Sequence, residues 1–225
     1  MRRGSAFRIL YPVAMGERRR RERALYVEIL IDAPIERVWE LTQTPEHHVR
    51  WDGRFTTIRP TRVRDDGAQE FAYELDLGIH TIRGTGVSRG DRRGRAGERT
   101  SALLFDTADR LSPLGAGRGY WRYVPTDDGV RFITGYDYAP GWGLLGRLLD
   151  PLVTRPFVWW LTAWSFDRLR LWAEQDVPPE ATGFWLSVMP GRRQRAHARR
   201  CLSRPVAAGG TIMQQAPDSL SELHA

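Results

Sequence analysis

The 225-residue sequence has no lysine, one cysteine and no long apolar run. All 34 basic side chains are arginine, which is typical of a GC-rich coding sequence, whereas a surface selected for nucleic-acid charge normally uses both basic residues. The isoelectric point near 10.2 is therefore a weak argument for nucleic acid. We do not expect nucleic acid to be a partner of this protein.

The scarcity of cysteine excludes further classes. Because Cys201 stands alone, neither an intramolecular disulfide nor a metal site with several cysteine ligands can form. The sequence also lacks a glycine-rich phosphate loop, a Walker pattern and a Gly-x-Ser-x-Gly elbow. His47 and His48 are adjacent, and neighbouring residues of a helix do not readily face one metal ion, so we interpret them as surface histidines. We predict no cofactor and no metal.

No stretch of 18 apolar residues occurs, and the longest candidate, 152–164, is interrupted by Arg155 and Pro156. We therefore expect no membrane-spanning helix. The apolar patch near the N-terminus is too short and too broken for a signal-peptide core. The chain carries no mark of an oxidising compartment, and we predict a cytoplasmic location. Nothing in the sequence indicates the oligomeric state.

The positive charge is concentrated in the two terminal regions. Residues 1–23 carry eight arginines and two acids, and residues 177–225 carry six arginines and three acids, while 24–176 carry 20 arginines and 22 acids. We predict an arginine-rich flexible tail over 1–23, one folded domain over 24–176, and a basic, largely irregular extension over 177–225. The alternatives for the first tail are contact with an anionic membrane or RNA surface, or a true start of translation at Met15.

Two parts of the extension differ in composition. The apolar residues within 184–189 offer a segment that can fold back on the domain, whereas 192–204 and the glycine- and glutamine-rich stretch after it are interpreted as a tail. Arginines beside Cys201 favour a lowered thiol pKa. A lone cysteine in a tail is nevertheless usually inert.

The predicted element order is a strand, two short helices, six strands and a long helix. The first strand covers 24–31, and the two helices begin near Pro34 and Pro45, since proline suits a first helical turn. Turn signals separate most of the six strands. The strands are predicted over 55–64, 69–77, 79–88, 100–106, 119–124 and 130–138, with a loop over 107–118.

Alternation of apolar and polar residues assigns faces to these strands. Within 69–77 the residues Phe71, Tyr73, Leu75 and Leu77 fall on one face, which is the pattern of an antiparallel sheet with one buried side. A four-residue turn over 126–129 pairs Pro125 with Val130. That register places two aromatics of one strand on the same face as four residues of the next: Trp121 and Tyr123 with Phe132, Thr134, Tyr136 and Tyr138.

The stretch 143–174 carries the aromatic residues of a long helix. Pro151 and Pro156 lack amide hydrogens and clash with the preceding turn, so we predict a short helix before Asp150 and a main helix from about Pro156 to Glu174. A helix this long with several tryptophans needs a broad concave cover. We predict that the sheet provides it.

This element order resembles that of the START-like (SRPBCC, birch-pollen-allergen-like) superfamily. Two stretches carry the same resemblance: residues 33–39 after the first strand, and Arg50-Trp51-Asp52 after the second helix. Residues 138–150 and 164–169 are similar to its bacterial polyketide cyclase/dehydratase or lipid-transport-like members. The resemblance covers about 24–176. It implies an α+β helix-grip fold, in which a curved seven-stranded antiparallel sheet grips the long C-terminal helix and an apolar cavity lies between them.

The resemblance implies a function in binding an apolar or aromatic small molecule, lipid-like or polyketide-like. A cavity lined by aromatics suits a flat apolar ligand. We predict that the ligand-binding residues are Tyr73, Trp121, Tyr123, Phe132, Tyr136 and Tyr138 from strands and Trp160 and Trp164 from the helix. Trp51 and Asp52 are interpreted as a cap on the cavity mouth or as packing against the sheet.

Two alternatives remain. The first is an enzyme of the polyketide cyclase or dehydratase type, which requires polar groups facing the cavity. Its candidates are Arg83, which from an inward position could hold a carboxylate or enolate oxygen, and the phenols of Tyr73 and Tyr136 as weak acids. His80 and Arg83 differ in strand parity, so only one of them can face inward. The second alternative is a peripheral membrane or RNA-surface protein that binds through its arginine-rich tails.

Overall fold

The structure, a computed structural model, describes residues 24–92, 94–183, 195–206 and 211–223. The predicted N-terminal tail and the apolar segment 184–189 lie outside these residues. The strands are β1 Leu25–Ile31, β2 Thr57–Val63, β3 Gln69–Asp76, β4 Thr81–Asp91, β5 Arg99–Asp106, β6 Leu114–Thr126 and β7 Gly129–Pro140. The α-helices are α1 Ile35–Gln43, α2 Pro45–Trp51, α3 Gly143–Leu149, α4 Arg155–Gln175 and α5 Ser219–Glu222.

The seven strands form one curved antiparallel sheet in the order β1-β7-β6-β5-β4-β3-β2. Each strand from β2 to β7 pairs with its sequence neighbour, and β1 joins the far edge by pairing with β7. The long helix α4 packs on the inner face. The predicted helix-grip architecture is confirmed.

The predicted register of the β6–β7 hairpin is also confirmed. Pro125 pairs with Val130, and Trp121 pairs with Thr134. Since side chains alternate along a strand, this register aligns the aromatics of both strands on the inner face. The turn over 126–129 fixes the whole pairing, because hairpin register follows from turn length.

The predicted loop over 107–118 is wrong in its second half, because β6 begins at Leu114. The glycines in this segment give no strand signal of their own. Gly117 nevertheless pairs with Phe105 of β5 and Tyr138 of β7. Tertiary pairing on both sides therefore overrides the weak local propensity.

The two-part prediction for the long helix is confirmed to within about a residue at each end. A π-helical turn over Asp150–Thr154 joins α3 to α4. Pro151 and Pro156 each occupy one of the first two positions of their segments. An amide hydrogen is least needed there, so both prolines are accommodated without a break in the helical path.

The main core lies between α4 and the strands β1, β6 and β7. Phe166 and Leu169 of α4 are fully buried against it. Arg168 is buried too, and its guanidinium donates to the carbonyls of Arg50 and Trp51 at the end of α2. A cation at the C-terminus of a helix satisfies carbonyls that have no partner within the helix. This contact fixes α2 against α4.

The described parts of the C-terminal extension pack on the domain, in contrast to the tail predicted over 192–204. Leu202 exchanges two backbone hydrogen bonds with Glu28 of β1, at 3.1 and 2.9 Å. Cys201 is buried in the main core, and this burial raises the pKa of its thiol rather than lowering it. Further along, Leu220 and Leu223 pack against Ala68, Val87 and Ala102 in a second apolar cluster on the sheet.

Candidate functional site

A cavity of about 280 Å³ lies between the inner face of the sheet and the first turns of α4. This volume is close to the lower bound of about 300 Å³ for small-molecule sites. Its wall is mostly apolar. The apolar lining side chains include Phe55, Ile58, Phe71, Tyr73, Leu75, Leu77, Ile82, Leu103, Phe105, Leu114, Trp121, Tyr136, Phe157, Val158 and Leu161.

Aromatic rings in the wall lie over glycines of neighbouring strands. Phe71 pairs with Gly86, and a Cβ on that glycine would stand 2.4 Å from the end of the phenyl ring. Tyr73 lies over Gly84 in the same way, and Phe105 lies over Gly117. A side chain at any of these glycines would displace the ring. The glycines therefore let the rings lie close to the sheet and leave the cavity open.

A polar cluster of His48, Asp52 and Arg54 interrupts the apolar wall. His48 and Arg54 line the cavity, and the fully buried Asp52 lies behind them. Asp52 Oδ2 is 2.9 Å from His48 Nε2, and the Arg54 guanidinium donates to both carboxylate oxygens at 2.8 and 2.7 Å. The carboxylate thus orients an imidazole and a guanidinium at once.

Helix α2 and the turn after it position this cluster. His48 stacks on the buried Trp51, with 5.0 Å between ring centroids, and Trp51 Nε1 donates to the Leu41 carbonyl at 2.9 Å. Gly53 donates its backbone N–H to Ser165 Oγ of α4 at 2.9 Å. A Cβ at Gly53 would stand 3.0 Å from the Trp164 ring. This close approach lets the turn over 52–54 lie on α4 and directs Arg54 into the cavity.

The pKa values of Asp52 and Arg54 are both shifted in the direction that favours the charged form. Burial alone would raise the pKa of Asp52, but the Arg54 guanidinium and the His48 hydrogen bond hold that pKa well below its usual range. Burial alone would lower the pKa of Arg54, and the Asp52 carboxylate instead raises it. The two groups form a buried ion pair whose net charge is zero. The polar part of the wall therefore offers hydrogen bonds to a ligand rather than an unpaired charge.

Tyr136 extends the polar region toward α4. Its hydroxyl lies 3.0 Å from Thr162 Oγ1, and the Arg54 guanidinium lies 5.8 Å from its ring centroid. Burial raises the pKa of Tyr136, with the positive charge of Arg54 opposing part of the effect. Its phenol therefore keeps its proton at neutral pH. Thr162 donates its own proton to the Val158 carbonyl at 2.8 Å, so the Tyr136 hydroxyl donates to Thr162, and an acceptor in the cavity would have to replace Thr162 as its partner.

Three of the eight predicted ligand-binding residues line the cavity: Tyr73, Trp121 and Tyr136. Trp121 packs edge-on against His48 at 5.1 Å between centroids. Burial raises the pKa of Tyr73 to about 12, and its hydroxyl donates to the Asp106 carbonyl at 3.3 Å. Tyr73 therefore contributes mainly its ring to the wall.

The other three predicted strand residues do not line the cavity. Phe132 is fully buried against Phe166, at 4.5 Å between ring centroids. The hydroxyl of the fully buried Tyr123 lies 2.7 Å from Thr42 Oγ1, and Tyr138 donates to Asp150 at 2.6 Å. Strand parity assigns these side chains to the inner face, but α1, α3 and α4 cover that part of it.

The two predicted helix residues also lie outside the cavity lining. Trp160 and Trp164 stack with 6.0 Å between ring centroids, and the Arg168 guanidinium lies 4.6 Å from the Trp164 ring. Trp164 contacts the turn over 52–54, where a Cβ at Gly53 would stand 3.0 Å from its ring, and neither tryptophan lines the cavity. The residues of α4 that line the cavity are Phe157, Val158 and Leu161.

Arg83 points outward instead of into the cavity. Its side chain is 71% exposed and contacts Glu74 at 3.1 Å. His80, which immediately precedes β4, lies 2.8 Å from Asp109. Among the residues that the structure describes, the arginine that lines the cavity is Arg54, in the turn after α2.

Sequence reasoning missed His48 and Arg54 as cavity residues. One signal was present: Asp52 follows His48 by four residues, a spacing that brings two side chains to one side of a helix. The interpretation of His48 as a surface residue is corrected by its contacts with Trp51 and Asp52. For Arg54 no local pattern exists, because only the packing of Gly53 on α4 sets its direction.

Within the described parts of the chain, no group of three or more histidine, cysteine or acidic side chains is arranged to hold a metal ion. None of the helices in these parts combines the length and apolar character that a bilayer crossing requires.

The curved sheet, the gripped helix and the cavity between them define a helix-grip protein. Residues 23–171 match the family described as "Polyketide cyclase / dehydrase and lipid transport". The chain belongs to this family.

The chain is also similar to one curated protein and to two solved structures. It is 40% identical over 162 residues to the "Uncharacterized membrane protein YndG" of Bacillus subtilis (strain 168), a match that covers 71% of this chain and 60% of that protein. The human StarD13 (DLC2) lipid transfer and protein localization domain has a TM-score of 0.51 at 14% identity, over 67% of this chain and 77% of that one.

The di-domain ARO/CYC StfQ from the steffimycin biosynthetic pathway has a TM-score of 0.50 at 12% identity, over 71% of this chain and 54% of that one. At these identities, the likeness to the two solved structures concerns the fold alone.

Proposed function

We propose that this protein binds an apolar or aromatic small molecule that carries a neutral polar group such as a carbonyl or hydroxyl. The observation that carries the proposal is the mostly apolar cavity with the cluster of His48, Asp52 and Arg54 in its wall. An apolar body is favoured by the aromatic and aliphatic lining. The chain also belongs to a family whose description names lipid transport, which supports the proposal that the ligand is apolar.

The polar part of the ligand follows from the charge balance of the cluster. Asp52 and Arg54 neutralise each other, and desolvating a charged ligand group beside a neutral pair is costly. A carbonyl or hydroxyl accepts hydrogen bonds from Arg54 and Tyr136 at a much smaller desolvation cost. The ligand is thus expected to be amphipathic but uncharged at the end that reaches the cluster.

Native mass spectrometry of the purified protein tests whether a small molecule copurifies with it. A cavity-filling variant, Leu103→Trp, places a large ring in the wall opposite α4 and is expected to lose the bound species. Val63→Trp is the matched control, since Val63 is 68% exposed on the edge strand β2. The proposal fails if Leu103→Trp remains folded and retains the same ligand occupancy as the control.

Catalysis of a cyclisation or dehydration is a second candidate function, favoured by the titratable groups that face the cavity. The hydrogen bond that His48 donates to Asp52 fixes the imidazole, as is usual for a general base. Tyr136 is a protonated donor, and Arg54 can stabilise an enolate oxygen. In such a reaction, a proton leaves the carbon next to one carbonyl, and that carbon bonds to a second carbonyl carbon, whose C=O double bond opens to a hydroxyl as its oxygen takes up the proton. The hydroxyl then leaves as water together with a further proton from the adjacent carbon, and a carbon–carbon double bond forms.

Mass spectrometry of poly-β-ketone substrates after incubation with the protein tests this second function. Turnover is expected to appear as loss of water and to fall in His48→Gln and Tyr136→Phe, while Arg83→Gln keeps the wild-type rate. A ligand that binds unchanged to all these variants, with no product, would leave binding as the function and exclude this chemistry.

A further inference from the structure

One end of the molecule exposes a continuous set of large apolar side chains. Leu144, Leu148 and Leu152 are 77%, 72% and 79% exposed and follow one another at a spacing of four residues. Soluble surfaces rarely leave such a run uncovered. We name this surface the apolar end; its members are Leu77, Ile79, Leu111, Trp142, Leu144, Leu145, Leu148, Leu152, Val153 and Phe157.

Three chain segments build the apolar end, and specific contacts hold them together. His80, in the turn between β3 and β4, contacts Asp109 of the next loop at 2.8 Å. The N–H of Gly141, just before α3, donates to the Pro113 carbonyl of that loop at 2.8 Å. The segments therefore form one surface rather than three separate protrusions.

The charges of the apolar end are suited to an anionic partner. Between residues 141 and 157 the only acid is Asp150, which is 1% exposed and held by Tyr138 and Arg155. Arg147 is exposed among the leucines. Of the acids nearby, Asp76 and Asp106 accept backbone N–H groups of their own turns. Exposed leucines can insert among lipids, a tryptophan beside them suits the headgroup region, and a basic residue is attracted to anionic headgroups. This combination suits binding to the surface of an anionic bilayer.

The apolar end also surrounds the mouth of the cavity. Phe157 and Leu77 line the cavity and are 56% and 55% exposed, so they belong to both surfaces. An apolar molecule at this mouth can pass between the cavity and an apolar phase without crossing water.

We propose that the apolar end docks on the surface of an anionic lipid bilayer, with the leucines of α3 and the π-helical turn inserted among the lipids and the cavity mouth facing the acyl chains. The contact differs from one made by the arginine-rich tails, because it depends on apolar insertion. It is also independent of ligand occupancy.

Co-sedimentation with phosphatidylcholine vesicles, with and without phosphatidylglycerol, tests the docking of the full chain. Binding is expected to be stronger with the anionic lipid, and Leu144→Glu/Leu148→Glu is expected to weaken it by about tenfold or more. Val63→Glu/Leu30→Glu is the matched control, since it adds the same charge at two exposed residues that pair with Gln69 and Arg131, at the strand ends opposite the apolar end. The control is expected to change binding by less than about twofold.

A fluorophore distinguishes insertion from adsorption through the basic tails. Cys201 is buried, so a label sensitive to polarity attaches selectively to Leu148→Cys or Val63→Cys. Emission from position 148 is expected to shift to shorter wavelength on vesicle binding, and emission from position 63 is expected to stay unchanged.

Three results would overturn the proposal. The first is an unchanged emission wavelength of the label at position 148 when vesicles are added. The second is binding of the double glutamate variant to anionic vesicles as strong as that of the wild type. The third is self-association of the free protein that the same variant abolishes in sedimentation velocity, which would make a second copy the occupant of this surface.

Discussion

Asp52 is the residue on which the polar cluster depends. Its carboxylate is fully buried and accepts hydrogen bonds from both His48 and Arg54. A buried charge is tolerated only when it is paired and hydrogen-bonded. If this carboxylate is removed, a guanidinium remains in an apolar wall without its counter-charge.

We expect Asp52→Asn to lower the free energy of unfolding at neutral pH by about 3–5 kcal/mol, because it breaks a buried ion pair from one side. Urea denaturation followed by tryptophan fluorescence measures the change. The exposed Asp65→Asn serves as the control and is expected to change stability by less than about 0.5 kcal/mol. A change as small as that of the control would show that the cluster contributes little to the fold.

The same residue predicts a pH dependence. Its pKa is lower in the folded chain than in the unfolded chain, so its contribution is fully present above the unfolded value of about 4 and is lost as the pH falls below it. Between about pH 5 and pH 3, wild-type stability is expected to decline more steeply than that of Asp52→Asn. Urea midpoints and slopes across this range measure both curves. Parallel curves would contradict the depressed pKa.

At the scale of the elements, the cavity is kept open by aromatic rings that lie over glycines. Phe71 and Gly86 are partners across β3 and β4. A Cβ at Gly86 would also stand 2.9 Å from the Leu104 carbonyl of β5. The backbone therefore cannot yield easily, and the phenyl ring has to move into the cavity.

We expect Gly86→Ala to destabilise the protein by about 1–3 kcal/mol through overpacking and to reduce the occupancy of any ligand that native mass spectrometry finds. Gly183→Ala is the matched control, because its Cβ would meet its nearest neighbour at 3.7 Å and its φ is −57°. Thermal denaturation and ligand occupancy are the two readouts. An effect on stability without one on occupancy would mean that the ring moves away from the cavity.

At the scale of the whole molecule, the C-terminal extension is part of the folded structure. Its described residues extend the β1 edge at Leu202, and the Ile212 carbonyl accepts the Tyr120 hydroxyl at 2.8 Å. Covering an edge strand removes a site for unwanted strand pairing. Arg89 contacts Glu222 at 3.0 Å and adds a polar contact at the end of the extension.

We expect Leu220→Ala/Leu223→Ala to lower the free energy of unfolding by about 2 kcal/mol or more, because both leucines are buried against the sheet. Leu111→Ala, at a leucine that is 60% exposed, is the control. Urea denaturation measures all three proteins. If the double variant matched the control, residues 211–223 would not contribute to the stability of the domain.

Much of the fold could be predicted from local signals. Alternation within 69–77 identifies the inner face of β3, and the turn over 126–129 sets the β6–β7 register. Both features repeat within a few residues and need no distant contact. The start of β6 could not be predicted, because its glycines form a strand only between two partners.

Less of the candidate site could be predicted. Strand parity assigns Tyr73, Phe132 and Tyr138 alike to the inner face, yet only Tyr73 lines the cavity. Parity says which face a side chain occupies, but not whether a helix covers that part of the face. Helix α4 and its neighbours fill the space over β1, β7 and part of β6, and the cavity remains beside them.

By itself, the sequence determined the order of the elements, the faces of the strands and the apolar character of the cavity wall, since all three follow from local periodicity and turn chemistry. Only the tertiary structure decided which arginine faces the cavity. Arg83 pairs with Glu74 across β3 and β4, on the outer face of the sheet, and it points to solvent. Arg54 follows a turn, and the contact of Gly53 with α4 directs it inward toward Asp52 and Tyr136.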